Sequence, residues 1–120
     1  MFLNSLYNLK IKLNTDKIFN FKILNDNYSF NTKDLYVKSI EVSKRKAVKY
    51  NFICHKNDDI NFIIEIRLEI TEITSLRNRL YVYLSLPKLY NMKYYEQTED
   101  EDLVNELINL IDMYQELWII

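Results

Sequence analysis

The chain has no glycine, one proline (Pro87), one cysteine (Cys54) and one histidine (His55) among its 120 residues. Each scarcity excludes something. Without glycine no loop can bring its backbone close around a pyrophosphate, so the glycine-rich nucleotide-binding fingerprints are ruled out. One cysteine cannot make an internal disulfide, which is compatible with a reducing compartment. Cys54 and His55 are adjacent, and neighbours on a strand point to opposite faces. They can neither contribute together to a metal site, which needs three or four convergent ligands, nor act as a thiol–imidazole pair. Cys54 therefore reads as a small core residue and His55, beside a polar turn, as an exposed one. Turns that need φ > 0 are expected to fall on Asn or Asp, the most tolerant residues after glycine. Apolar runs are a few residues long, far short of the ~20 that span a bilayer, and no basic stretch precedes an apolar N-terminal core. A soluble, cytoplasmic protein is expected, in the host cytoplasm if its origin is viral, with no membrane partner.

Apolar residues make up 48% and charged residues 28%, ordinary for one globular domain covering residues 1–120. Asn, Ile, Lys and Tyr are used heavily, a preference that accompanies A/T-rich genomes such as those of phages, other viruses and low-GC bacteria. The net charge of −1 conceals a division. From Glu96 onward eight acids occur without a single Lys or Arg, so all sixteen bases lie in residues 1–95. Such asymmetry hints at anionic partners for the basic part, or at two parts that neutralise one another within the fold.

Period-two alternation marks the strands. Leu9, Ile11 and Leu13 alternate with lysines, and Phe19, Phe21 and Ile23 alternate with polar residues. These predict strands over about 8–14 and 17–24, followed by a turn at Asn25-Asp26-Asn27. Tyr28–Phe30 suggests a further short strand. Residues 35–43 are rich in strand formers on both parities, which leaves their faces unassigned. The clearest strands are 46–55, 60–73 and 78–87, each with its apolar set on even numbers: Phe52 and Cys54, Ile64 and Ile66, Val82 and Leu84. Residues opposed in an antiparallel pair share a face, so even must oppose even. An odd Asn57-Asp58-Asp59 loop with Asp59 in the left-handed position meets that requirement. Pro87 ends the last strand. Lys88–Tyr95 reads as an aromatic connection to the C-terminal segment, and residues 1–8 carry no deciding pattern.

That segment predicts a helix over 98–118. Thr98 and Glu101 have capping-box spacing, Glu99–Asp102 place negative charge at the positive end of the dipole, and Leu103, Val104, Leu107, Leu110, Ile111 and Trp118 recur at helical spacing. The expected class is α+β: an antiparallel meander of five to seven strands with one long C-terminal amphipathic helix packed on it. This order resembles the layout of pleckstrin-homology-like domains, whose final helix also carries a tryptophan; the likeness is one of architecture.

No catalytic set, metal site or cofactor site emerges. Glu65 and Glu69 share a strand face, but with Arg67 between them they read as cross-strand charge partners. Two surfaces stand out for binding. Lys38, Lys44, Arg45, Lys46 and Lys49 form a basic patch, while Tyr90, Lys93, Tyr94 and Tyr95 interleave rings with cations. The acidic helix face offers Glu106, Asp112 and Glu116 as further partner-binding candidates. The leading expectation is a non-catalytic protein-binding module, such as a phage inhibitor of a host defence (anti-CRISPR-like) or a toxin-immunity protein that acts by occlusion. The alternatives are a nucleic-acid-binding protein using the basic and Tyr-rich residues, and a carrier of a lipid or small ligand. A homodimer is compatible with each.

Overall fold

Strict alternation forms the sheet, and its parity is the one the apolar residues require. A computed structural model describes residues 10–45, 48–56, 59–70, 79–86, 89–97 and 100–115. Its strands are β1 (Ile11–Lys12), β2 (Ile18–Ile23), β3 (Asp26–Asn31), β4 (Leu35–Lys44), β5 (Val48–Lys56), β6 (Asp59–Ile70), β7 (Arg79–Leu86) and β8 (Leu89–Gln97), followed by helix α1 (Glu101–Met113). Six strands form an antiparallel sheet in the order β1-β4-β5-β6-β7-β8, while β2 and β3 pair only with each other. The meander therefore holds from β4 to β8. The β2–β3 hairpin stands apart as a second sheet, between β1 and the strand that β1 pairs with.

Phe52 opposes Ile66, which opposes Val82; Cys54 opposes Ile64, which opposes Leu84. All six side chains are buried. On this face lies α1, which buries Leu103, Val104, Leu107, Leu110 and Ile111 in the same cluster, as do Phe19, Phe21, Ile23 and Phe30 of the hairpin. The α+β class stands.

β4 reaches that core on both parities because of a bulge. Its pairing with β5 slips between Val37 and Ser39, so that Val37 opposes Cys54 and Ile40 opposes Phe52. One extra residue, Lys38, turns odd-inward into even-inward, which is why both parities of this strand are apolar.

Several sequence-based boundaries change. Of the strand expected over 8–14, the described part is strand at Ile11–Lys12, paired with Val37 and Tyr36, after which Leu13 N–H bonds to the carbonyl of Leu35 at 3.4 Å; residues 8 and 9 lie outside the described residues. Leu89–Tyr95, expected to belong to a connection, is strand: Leu89–Gln97 forms β8, paired along β7. Asp59 does not sit in a three-residue loop but begins β6 opposite Lys56, with the register slipping between His55 and Lys56. The helix starts at Glu101. Its cap is Asp100, whose carboxylate accepts from Leu103 N–H at 3.0 Å, and it ends at Met113, shorter than the span expected over 98–118. Thr98, Pro87, Leu117 and Trp118 lie outside the described residues.

Two local devices hold the loops in place of glycine. Thr32 is fully buried in a single 3₁₀ turn; its hydroxyl donates to the carbonyl of Thr15 and accepts from Lys17 N–H at 3.0 Å. The β2–β3 turn, Leu24-Asn25, takes φ 58° at Leu24, 76% exposed. This is the first loop position of the hairpin, where a type II′ turn prefers glycine. Positive φ thus falls on leucine and not on the expected Asn or Asp.

Thr32→Val is expected to destabilise the fold by about 1–3 kcal/mol, because it leaves a part-buried amide and a carbonyl without their shared partner; denaturant midpoints would measure this. Leu24→Gly is expected to stabilise it by about 0.5–1 kcal/mol, relief of left-handed strain outweighing the entropy that glycine adds to the unfolded chain. A lower midpoint for Leu24→Gly would contradict this account of the turn.

Candidate protein-binding face

The same parity that buries the even positions of β5, β6 and β7 sends the odd ones to the opposite face, away from α1. Across this outer face the register aligns Asn51, Arg67 and Tyr81 in one row and Ile53, Glu65 and Tyr83 in the next. All six are half-buried. At its centre Arg67 is held from several directions: its Nε donates to Asn51 Oδ1 at 2.7 Å, one terminal nitrogen donates to the Tyr83 hydroxyl at 3.3 Å, and the other meets Glu65 at 3.5 Å. The guanidinium lies over the Tyr83 ring, 4.9 Å from its centroid, and Tyr83 stacks on Tyr81 at 6.5 Å. Arg67 thus bonds across strands to Asn51 and Tyr83, while its contact to Glu65 runs along its own strand. Of the two acids expected to act as cross-strand charge partners, Glu65 instead contacts Arg67 on its own strand, while Glu69 stands opposite Lys49 and Arg79 on the neighbouring strands.

At one end of this face lies His55. It is buried, against the expectation of exposure, because Tyr36 on β4 stacks on it at 6.0 Å and Ile63 stands opposite on β6. Its Nδ1 is buried without a hydrogen-bond partner. Burial, and then the charge of Lys38, hold the imidazole below its ordinary value of 6.5. Lys10 lies over the other ring of this stack, 5.8 Å from the Tyr36 centroid. Cys54, on the core face, is fully buried and its thiol is pushed up by burial, which makes it an inert packing residue.

The residues singled out in the sequence are distributed differently. Lys44 and Arg45 are exposed at the β4–β5 turn, and Lys49 is half-buried opposite Ser43 and Glu69. Lys38 sits in the bulge six residues before Lys44, roughly 20 Å away along the strand. The structure therefore divides the basic patch; Lys46 lies outside the described residues. Tyr90, Lys93, Tyr94 and Tyr95 belong to β8, where Lys93 stands opposite Leu84, Tyr94 opposite Tyr83 and Tyr95 opposite Val82.

On the helix, Glu106 is committed internally: its carboxylate accepts from Asn14 N–H and from Thr15 N–H, the latter at 2.9 Å. Asp112 is exposed and its charge is one cause that raises the Tyr50 phenol, after burial. Glu116 lies outside the described residues. Lys17 meets Asp100 at 3.2 Å, joining the basic body to the acidic tail. Asp16, Asp100, Asp102, Asn105, Glu106 and Asn109 border an open groove beside the helix start. Among the described residues no cluster of His, Cys, Asp and Glu could hold a metal ion, and no helix is long and apolar enough to cross a membrane.

Arg67, Tyr81 and Tyr83 escaped the sequence reading because each looks like an ordinary outward position on a strand. The available signal was aromatic and Arg content where lysine, threonine and glutamate would serve solvent equally well.

His55 makes stability pH-dependent in one direction. Its folded-state pKa is depressed, so stability is full above the unfolded imidazole value of ~6.5 and falls as pH drops below it. Denaturant midpoints are expected to decline between pH 7 and pH 5, and the decline should be shallower in His55→Phe; equal slopes would remove His55 as its source.

No family model, curated protein or solved structure matches this chain.

Proposed function

We propose that the protein is a non-catalytic binding module that docks a protein partner on the outer face of β5, β6 and β7. The observation that carries this reading is Arg67, fixed by Asn51, Glu65 and Tyr83 on a face that no described element covers. Arg and Tyr dominate protein–protein hot spots, and side chains already ordered before contact lose little entropy on binding. The neighbouring Ile53, Ile63 and Tyr81 supply apolar area that water alone does not require. Glu65, Glu69, Lys49 and Arg79 mix both signs along the same face, which suits a protein surface better than the uniform phosphate of a nucleic acid. Between sheet and helix the side chains form one contiguous cluster, which favours a packed core over a carrier's cavity.

The test compares two surfaces. Arg67→Ala and Tyr83→Ala are each expected to weaken partner binding by about 30-fold, the ~2 kcal/mol of a hot-spot residue. Lys44→Glu with Arg45→Glu should change it by less than about threefold, as expected of charges outside the contact. Titration calorimetry against the partner cross-linked from position 81 measures both. The reverse ranking would move the function to the basic turn and to the nucleic-acid reading.

A further inference from the structure

Resting on that docking face, we infer that its partner is a second copy of this chain, packed sheet against sheet about a two-fold axis. The register supplies the self-complementarity. Arg67 and Tyr81 share one row of the outer face; Glu65 and Tyr83 share the next. Two residues separate these rows on every strand, about 6.7 Å. A two-fold axis lying in the interface, perpendicular to the strands and midway between the rows, exchanges them. It sets Arg67 of each copy against Glu65 of the other, and Tyr81 against Tyr83, the isologous pattern in which residue i meets j and j meets i.

The charges call for such an exchange. The Glu65 side chain is only 18% exposed, yet its contact with Arg67 is 3.5 Å long and runs along the strand. A guanidinium facing it from a second copy gives this half-buried carboxylate a further charged partner, across the interface. Net charge is −1, so two copies approach without significant repulsion.

Sedimentation equilibrium up to about 100 µM is expected to give a dimer, twice the mass of one chain, by mass action. Arg67→Glu alone and Glu65→Arg alone each set like charges face to face and should weaken the dimer at least tenfold, whereas the double exchange should restore it to within about threefold. Circular dichroism on each variant separates loss of dimer from loss of fold. Should a single variant misfold, p-benzoylphenylalanine in place of Tyr81 gives an independent reading: irradiation should yield a covalent dimer. A wild-type monomer at the highest concentration overturns the inference, as does a dimer that survives both single exchanges. If that monomer still loses binding of a different protein on Arg67→Ala, self-pairing fails while the docking face stands.

Discussion

The structure depends on a parity constraint: side chains opposed across an antiparallel ladder must share a face. In β5, β6 and β7 the even positions carry Phe52, Cys54, Ile64, Ile66, Leu68, Leu80, Val82 and Leu84, all fully buried. A slip of one residue anywhere in this block would send that entire set into water. Register is therefore fixed by burial, and α1 can cover one face only. β4 would enter the block out of phase, since Leu35 and Val37 are odd. The bulge at Lys38 spends one residue to bring Ile40 and Val42 inward, and the ladder then continues to the turn at Arg45.

Seating the helix uses much of the charge that looked available for binding. Asp100 caps Leu103 N–H and pairs with Lys17, and Glu106 takes the amides of Asn14 and Thr15. The loop between β1 and β2 is thus tied to the helix by acids, and to the 3₁₀ turn by Thr32. Those hydrogen bonds do the work that a tight glycine turn does elsewhere: they satisfy a backbone that cannot fold back on itself. The division into basic body and acidic tail is resolved, at this joint, inside the fold. Among the described residues of the helix, Glu101, Asp102 and Asp112 are exposed.

Legibility followed the strength of the periodicity. Ile64 to Leu68 alternate without exception and Val48 to Cys54 with Ile53 as the one break, so the sheet, its parity and its buried face could be read directly; the apolar stripe of α1 was equally plain. What stayed hidden depends on distant contacts. A bulge is invisible until the partner strand is known, and β4 shows it only as apolar residues on both parities. Tyr90, Tyr94 and Tyr95 also fall on both parities, so β8 resembled a loop. Leu24 takes the left-handed position because the pairing of Ile23 with Asp26 leaves two residues to reverse the chain, and Asn25, the better candidate by side chain, falls second. His55 is buried by Tyr36, nineteen positions earlier in a sequence that gives no reason to join them. The site suffered most: Arg67 is set apart from other surface arginines only by Asn51 and Tyr83, both sixteen residues away.

A solvated sheet face asks only for polarity and strand propensity. Near the β4–β5 turn the outer face meets that demand with Ser43, Lys49, Glu69 and Arg79. Toward the other end it exceeds it: Ile53, Ile63, Tyr83 and the Tyr36–His55 stack are apolar or aromatic, and no described element lies over them. The face therefore has a gradient along the strands, polar at one end and apolar at the other. A gradient of this kind is antisymmetric under a two-fold axis perpendicular to the strands, which lays the polar end of one copy over the apolar end of the other. There Lys49 falls over His55 and Glu69 over Ile63, each laying its methylene stem on the apolar or aromatic residue and keeping its charged head at the wet border. The bulge that rescues the core of β4 also sets Tyr36 against His55 on this face, so the constraint that buries one side of the sheet shapes the binding character of the other.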